Sequence, residues 1–353
     1  MGNFYTIDQK LKLNDYYDKV IMAFRRENKL QAILRRGPTP IDWMQEVEVE
    51  GDVPAYELSA PEGGDFDETG LAKRTNLVVQ IQAQKFRSKR GYIVTREAKL
   101  LPGYTEKKGE AAFARAKRKD AQEVARSIEF ALGSAQEAVA RGSSDSTVPK
   151  TRGIMSWLST STHSVQPIPS AIMPTIGIST KAALLTEAEL KRALAAAAKQ
   201  AGDGELQLTM LCGIDLKMAM SEFLGKATAV QGMDNLIMRT DPKNRKKELI
   251  CDEFVYDGVS LKAIVCNTLA ATLPGDGSAI SQGAASFQSG VVIRPEFWSI
   301  DTLESLTAFD LEDKGAGPRG YHEAILRLAC RNPVGQFAIT YNSSAASSTV
   351  TGA

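Results

Sequence analysis

Apolar and small side chains recur every three or four positions along residues 105–141, on one side of a helix: Phe113, Ala121, Val124, Ile128, Leu132, Ala135 and Val139. The remaining positions are largely charged, and basic residues alternate with acidic ones. A Pro-Gly pair precedes the stretch and a Gly-Ser-Ser sequence follows it, as is typical of helix boundaries. The pattern predicts one dominant helix that runs from Thr105 to about Arg141, on which other elements are arranged. The part from Thr105 to Leu132 alone would be roughly 40 Å long.

Three other patterns predict shorter helices. The apolar positions of residues 8–36 predict one or two helices that end at a Gly-Pro pair. Thr186 and Glu189 have the spacing of a capping box, in which each side chain accepts a hydrogen bond from the other residue's backbone N–H, and Gly202 provides a helix stop. A Met-rich stretch at Ile214–Leu224 predicts a further helix. Its methionines are interpreted as core residues rather than ligands: Met218 and Met220.

Hairpins dominate the predicted C-terminal part of the chain. Asp257-Gly258 predicts a tight turn between the strand-like runs on either side of it. Tyr321–Arg331 and Gln336–Asn342 flank a turn-forming Asn-Pro-Val-Gly sequence and predict a terminal hairpin. Leu311–Gly320 is interpreted as a polar loop, and the tail Ser343–Ala353 has the composition of a disordered end.

Charge changes sign along a predicted two-stranded arm. Residues 42–72 carry ten acidic side chains and no Lys or Arg, whereas residues 73–99 carry eight basic side chains and one acidic one. The acidic stretch contains Met44–Glu50, whose strict alternation predicts a half-buried strand, and the basic stretch contains the strand-like runs Leu77–Ile81 and Tyr92–Thr95. An isolated hairpin is marginal in water, so the arm is expected to lie on another surface. The alternative is a solvated charged face of a globular sheet.

Composition gives little support to membrane, zinc or nucleic-acid functions. A formal net charge of +1 does not indicate nucleic-acid binding by the whole molecule. No apolar run approaches the roughly 18 residues of a membrane span, and the charged N-terminus lacks a signal-peptide core, so the chain is expected to stay where it is made. The cysteines are far apart and form no C-x-x-C pair, which predicts buried free thiols rather than a zinc site: Cys212, Cys251, Cys266 and Cys330.

No catalytic constellation is recognisable. Gly275-Asp276-Gly277 lacks the Lys-Ser/Thr of a phosphate loop, and His163 and His322 are interpreted as plain surface or core residues. We therefore predict no catalytic, cofactor-binding or metal-binding residue and no cofactor. Two basic clusters, Arg115–Lys119 and Lys243–Lys247, lack interleaved aromatic residues, which leaves only non-specific contact with phosphates open.

The order of elements resembles a known family. A helical N-terminal arm, a charged two-stranded arm, one dominant helix, a mixed α/β segment and a terminal hairpin resemble a tailed-bacteriophage major capsid protein of the Hong Kong 97-type fold. Short stretches are similar to the major head protein family typified by phage SU-ten: Thr75–Ile81 (TNLVVQI), Val124–Glu129 (VARSIE), Arg152–Trp157 (RGIMSW) and Arg331–Pro333 (RNP). The resemblance covers roughly residues 40–342.

The resemblance implies an α+β capsid fold with a defined domain order. Its segments would be an N-arm (1–40), an extended loop (41–95), a peripheral domain with the spine helix (96–144), an axial domain (145–287), a return to the peripheral domain (288–342) and a flexible tail (343–353).

The implied function is structural rather than enzymatic. Copies of the chain would assemble as hexamers and pentamers into an icosahedral shell around a phage dsDNA genome, in the virion capsid, after assembly in the host cytoplasm. The main partner would be the chain itself, with portal, scaffold or decoration proteins and packaged DNA as further partners and no membrane. The alternatives are a non-viral encapsulating shell protein of the same fold and, more distantly, a DNA-binding or hydrolytic enzyme.

Two sets of charged residues are candidates for assembly contacts. In such shells the extended loop lies over the neighbouring subunit, so acidic and basic limbs are expected to pair between copies. The intersubunit candidates are Glu46, Glu48, Glu50, Asp52, Lys85, Arg87, Lys89 and Arg90. The candidates for a genome-facing or intersubunit surface are Arg115, Lys117, Arg118 and Lys119.

Overall fold

A computed structural model describes residues 28–49, 77–95, 112–142, 148–160, 168–169, 172–202, 206–223, 239–240, 247–248, 253–256, 258–273, 279–312 and 317–352. Several predictions fall outside these ranges: the helices before Asn28, the helix start at Thr105, Glu50, Asp52, His163, Cys251, the loop at Gly275–Gly277 and most of the basic cluster Lys243–Lys247.

The helices of the described residues are α1 (Lys29–Ile33), α2 (Ala112–Gly133), α3 (Ile154–Trp157), α4 (Glu187–Ala201), α5 (Ile214–Ser221) and α6 (Ala284–Gln288), with 3₁₀ turns at Ala182–Leu184 and Pro295–Phe297. The 22 residues of α2 make it the dominant helix, about 33 Å long at 1.5 Å per residue. Within the described ranges, no helix has the length and apolar character of a membrane span.

The strands are β1 (Arg35–Arg36), β2 (Met44–Val49), β3 (Leu77–Gln82), β4 (Gln84–Arg87), β5 (Tyr92–Ile93), β6 (Gly177–Thr180), β7 (Leu206–Cys212), β8 (Arg239–Thr240), β9 (Lys247–Glu248), β10 (Glu253–Tyr256), β11 (Val259–Val265), β12 (Gly290–Ile293), β13 (Trp298–Leu311), β14 (Arg319–Cys330), β15 (Phe337–Tyr341) and β16 (Thr349–Thr351). They form a five-stranded sheet, a seven-stranded sheet and the two-stranded pairs β2–β3 and β8–β9.

The five-stranded sheet is built on a long antiparallel hairpin. β13 and β14 pair from Trp298 opposite Cys330 to Leu311 opposite Arg319. β1 adds to β13, while β4 and β5 both add to β14. The apolar stripe of α2 packs against this sheet in one core cluster: Val124, Ile128, Leu132, Trp298 and Leu328 are all buried there. The sheet and the spine helix α2 therefore form one packed layer pair.

The seven-stranded sheet has the order β10-β11-β7-β12-β15-β6-β16, and its central strands β7 and β12 are buried on both faces. Successive residues of β7 alternate between two clusters: Leu211 belongs to the core with α2, and Met210 and Cys212 belong to a second core with α4. Since side chains alternate across a strand, this is the burial expected for a central strand. The two cores thus share the same sheet.

Several local predictions are confirmed. Thr186 and Glu189 form the capping box at the start of α4, and Gly202 ends that helix in the left-handed conformation at φ 69°. β10 and β11 form the hairpin around Asp257-Gly258. β2 pairs with β3 in antiparallel register, as predicted for the arm, but the second strand-like run of the basic limb, at Tyr92–Ile93, pairs with β14 instead. Free, buried thiols are confirmed for the cysteines within the described ranges, which are Cys212, Cys266 and Cys330.

The prediction that the dominant helix continues to Arg141 is wrong, because α2 ends at Gly133. The backbone N–H of Ala270 donates to the Gly133 carbonyl at 3.0 Å, so a distant loop binds a group that a further helical turn would use. A Cβ atom at this glycine would lie 2.8 Å from the Thr268 carbonyl oxygen, which shows how closely the loop approaches. Ala135 and Val139 accordingly lie outside the helix.

The predicted terminal hairpin is also wrong. β14 pairs with β13 of the five-stranded sheet, whereas β15 pairs with β12 and β6 of the seven-stranded sheet. The Asn-Pro-Val-Gly turn therefore connects two sheets. The segment Leu311–Gly320, interpreted as a polar loop, is strand only at its two ends: β13 ends at Leu311 and β14 begins at Arg319.

Three smaller predictions fail near the ends of elements. The tail was predicted to be disordered, but within its described residues Thr349–Thr351 form β16, which pairs with β6. The N-terminal helical pattern does not run to residue 36, because α1 ends at Ile33 and β1 pairs with β13. Met218 is 62% exposed rather than a core residue, although Met220 is buried.

Candidate intersubunit surfaces

The strand pair β2–β3 forms a ribbon with one inward and one outward face. Opposite residues of antiparallel strands share a face, so Val47 and Val79 lie on the same side, and Glu46 and Gln80 on the other. Val79 and Ile81 are buried in the core with α2, and Val47 packs against it. The ribbon is therefore seated by its apolar side on its own subunit.

A buried arginine joins the ribbon to the hairpin β13–β14. The Arg327 side chain is only 1% exposed, and its Nε and Nη2 atoms each lie 3.0 Å from Asp301 Oδ2. Nη2 also donates to the Gln45 side chain of β2. A fixed guanidinium fork of this kind sets the position of the groups that it binds. The base of the ribbon is held in this way over β14.

The outward face of the ribbon carries the predicted acidic residues beside apolar ones. Glu46 and Glu48 are exposed, and Glu46 Oε1 accepts a hydrogen bond from Gln80 Nε2 at 2.9 Å. Met44 and Val78 on this face are each 41% exposed. Acidic and apolar groups are thus presented together on a face that the described residues leave open to solvent.

The basic residues of β4 are paired within the subunit. Lys85 Nζ lies 2.5 Å from Glu323 Oε1 and Arg87 Nε lies 3.0 Å from Glu323 Oε2, and the Glu323 side chain is only 6% exposed. Arg87 also lies over the Tyr321 ring and donates from Nη2 to the Tyr321 hydroxyl at 2.9 Å, and that hydrogen bond raises the pKa of Arg87. Two of the predicted intersubunit cations therefore already have a carboxylate partner in their own chain.

Lys89 and Arg90 lie in the turn between β4 and β5, and both are exposed. The turn rests on a buried polar group, in which Asp120 of α2 accepts hydrogen bonds from Ser88 Oγ and from the His322 backbone N–H. His322 Nδ1 lies 2.7 Å from the same carboxylate. The carboxylate is in the middle of this arrangement, whereas a catalytic serine triad needs histidine in the middle. The group can hold a turn in place, but it cannot activate the serine.

The members of the basic cluster of α2 differ in burial and in their partners within the chain. Lys117 Nζ lies 3.3 Å from Asp310 Oδ1, and the same carboxylate accepts a hydrogen bond from the Tyr92 hydroxyl. Burial and this hydrogen bond raise the pKa of Tyr92, and the hydrogen bond from Tyr92 lowers the pKa of Asp310. Arg115 is half-buried, and Arg118 and Lys119 are exposed. Arg118 and Lys119 are therefore the members of the cluster most accessible to a partner.

Two acidic residues of α2 that the sequence placed on the charged side of the helix are buried, Asp120 and Glu129. Glu129 accepts hydrogen bonds from the backbone N–H groups of Leu30 at 2.6 Å and Gln31 at 3.1 Å, so it caps the start of α1 from another element. Burial raises the pKa of Glu129, although the two N–H groups oppose the rise. Among the described residues, no group of three or more His, Cys, Asp or Glu side chains is placed to hold a metal ion.

Comparison with known proteins identifies the family. The model of the SU10 major capsid protein family matches residues 4–341, nearly the whole chain. The chain belongs to this family. No sequence among the curated proteins matches it. This capsid protein is therefore a structural subunit of a phage shell that self-associates in the virion capsid, as its resemblance to the SU-ten family predicts.

Solved capsid structures share the fold of this capsid protein at low sequence identity. A chain of the cyanophage A-1(L) capsid has a TM-score of 0.58 and 13% identity, with 94% of this chain and 97% of that chain covered. A Mycobacterium phage Cain chain has a TM-score of 0.55 and 10% identity, with coverage of 98% and 100%. The capsid of an empty GTA particle has a TM-score of 0.53 and 9% identity, with coverage of 97% and 100%. The Hong Kong 97-type α+β fold is confirmed.

Proposed function

We propose that this chain assembles as hexamers and pentamers into a closed icosahedral shell around a dsDNA genome, in the cytoplasm of the host. The further partners in this proposal are portal, scaffold or decoration proteins and the packaged DNA. The proposed domain order is that of the resemblance, with α2 as the spine of the peripheral domain and residues 145–287 as the axial domain.

The outward face of the β2–β3 ribbon is the observation that carries the proposal. The inward face of the ribbon is covered by its own subunit, yet Glu46, Glu48, Met44 and Val78 remain exposed on the other side. An isolated pair of strands is marginal in water, so further cover stabilises it. A second copy of the chain would cover this face and supply cations to pair with Glu46 and Glu48. Each exposed ion pair contributes little free energy, but a shell repeats the pair in every subunit.

Contact with the genome is proposed for the exposed part of the basic cluster on α2, Arg118 and Lys119. Neutralising both residues should lower the DNA content of purified particles while leaving empty shells intact, because phosphate contact is electrostatic and independent of sequence. Lys117 is the matched control, since it is paired with Asp310 in the same chain. Unchanged DNA content in the double variant would reject the genome-facing assignment.

Electron microscopy of the purified full-length chain tests the proposal as a whole. Closed shells or ring-shaped capsomers are expected in negative stain. DNA inside particles isolated from infected cells supports the phage assignment, whereas an enzyme as cargo and no genome would favour the encapsulating alternative. A stable monomer with enzymatic turnover would contradict the proposed assembly.

A further inference from the structure

The register of β14 shows that β4 and β5 are one edge strand interrupted by a bulge. Arg87 lies opposite Glu323, and Tyr92 lies opposite Gly320. Between these two pairs, β14 has two residues and the edge strand has four, Ser88–Gly91. Two residues are therefore extruded from the ladder. Bulges of this kind re-aim side chains and disturb pairing at sheet edges, and they act as specific features of a fold.

The extruded residues are held by hydrogen bonds from below. Ser88 N–H donates to the His322 carbonyl at 2.9 Å, and Gly91 N–H donates to Ser88 Oγ at 2.8 Å. Ser88 Oγ in turn donates to Asp120, which also accepts from His322. Ser88, Asp120 and His322 are all buried. The Asp120 carboxylate of the spine helix thus holds both the bulge, through Ser88, and the neighbouring strand β14, through His322.

The backbone at the end of the bulge also has little freedom. Gly91 has a φ of +63°, which favours glycine, and a Cβ atom there would lie 2.5 Å from the Gly320 carbonyl oxygen. The bulge therefore keeps one conformation in which Lys89 and Arg90 are presented to solvent. Within the described part of the chain, no carboxylate lies within ion-pair distance of Arg90, in contrast to Lys85 and Arg87 with Glu323.

We infer that the Ser88–Gly91 bulge is a rigid cationic contact for an acidic surface of a second copy, and that Asp120 is the positioning residue that orients it. The inference rests on the proposed shell assembly. A buried carboxylate with three polar contacts is more than a simple surface turn requires, because a continuous edge strand would need no such group. Its position on α2 also joins the contact to the spine helix.

The test measures assembly and subunit stability separately. R90A removes the charge, and S88A removes the hydroxyl that links Gly91 to Asp120. Deletion of Lys89 and Arg90 leaves two edge-strand residues opposite the two residues of β14, so the bulge is removed. S299A is the matched control, because Ser299 Oγ is also buried and donates to an aspartate of the same sheet, Asp301, at 2.7 Å. Particle yield on a sucrose gradient and the melting temperature of isolated capsomers are recorded for each variant.

R90A is expected to raise the concentration needed for assembly by about two- to fivefold with an unchanged melting temperature, as for the loss of one exposed charge contact. S88A should reduce particle yield more than S299A does at a similar loss of melting temperature. The double variant S88A/R90A should be no worse in assembly than the poorer single variant, because both changes remove one contact.

Two results would overturn the inference. Equal assembly losses in S88A and S299A would mean that Ser88 acts through stability alone. Normal assembly of R90A would remove the contact, and if the deletion variant then aggregated, the bulge would be protection of a sheet edge instead. These results differ from failure of the proposed function, in which the unaltered chain itself forms neither capsomers nor shells.

Discussion

Glu323 is a single buried carboxylate that pairs with two nearby cations of its own subunit. Lys85 and Arg87, which the charge reversal assigns to a neighbouring subunit, both pair with Glu323 in the same chain. Reversing all four cations of the basic limb would place new carboxylates against this buried acid and destabilise the subunit. A test of intersubunit contact that leaves the Glu323 pairs intact is therefore confined to Lys89 and Arg90.

The Glu323 pairs predict an asymmetry between variants. The double variant K85A/R87A should lower the free energy of unfolding by about 2 kcal/mol, because it leaves a buried carboxylate without its cations. E323Q should cost about 1 kcal/mol or less, because Lys85 and Arg87 are partly exposed and water can solvate them. Denaturant titration of isolated capsomers measures both, with K89A as the exposed control. A larger loss in E323Q would contradict the burial argument.

Glu129 predicts a pH dependence. Because burial raises its pKa above the ordinary value of 4.5, the folded chain holds this proton more tightly than the unfolded chain does. The resulting stabilisation is present below the ordinary pKa and is lost as the pH rises through the raised pKa. E129Q lacks this loss, so its stability relative to the unaltered chain should increase as the pH rises.

Melting temperatures of both proteins between about pH 5 and pH 8 measure this difference. E123Q, on the exposed side of the same helix, is the control for a change of one charge. A stability difference between E129Q and the unaltered chain that stays constant with pH would show that Glu129 does not titrate as its burial requires.

The sequence contained a signal for one of the two buried acids of α2. Asp120 lies four residues before Val124 and eight before Ile128, on the apolar stripe itself, and that spacing places it inward. Glu129 offers no such local signal, because its hydrogen-bond partner Leu30 is 99 residues away in the chain. The sequence shows which residues are charged, but the partners of these charges are residues that come together only in the folded chain.

At the scale of elements, local chemistry was predictable and long-range pairing was not. The capping box of α4 and the hairpin β10–β11 follow from residues next to one another. By contrast, β14 and β15 are joined by a turn that looks like a hairpin, yet they belong to different sheets. The end of α2 depends on a loop more than 130 residues further along the chain, at Ala270. Sequence patterns near these positions contain no information about those partners.

The capping box gives the prediction at this scale. T186A should lower the free energy of unfolding by about 1 kcal/mol, because the N–H of Glu189 loses its acceptor at the helix start. R192A is the matched control on the same helix, since Arg192 is an exposed residue away from the cap and its loss should cost less than about 0.5 kcal/mol. Equal losses in thermal or chemical unfolding would mean that the cap does not hold α4.

At the scale of the molecule, the two cores share one sheet, and the shared sheet joins the spine helix to the part of the chain around α4. β12 contributes Val291 and Ile293 to the core with α2 and Val292 to the core with α4. The capsid neighbours match this fold over nearly their whole length. The outward face of the ribbon and the cationic bulge are among the exposed surfaces of the described residues, and both suit contacts between copies better than contacts within one.

Analytical ultracentrifugation of the full chain over a range of concentrations measures self-assembly itself. A shell subunit is expected to give species whose masses are multiples of 38.2 kDa, at five and six copies and as closed particles, with assembly increasing as concentration rises. A single species of 38.2 kDa at every concentration and ionic strength would contradict it.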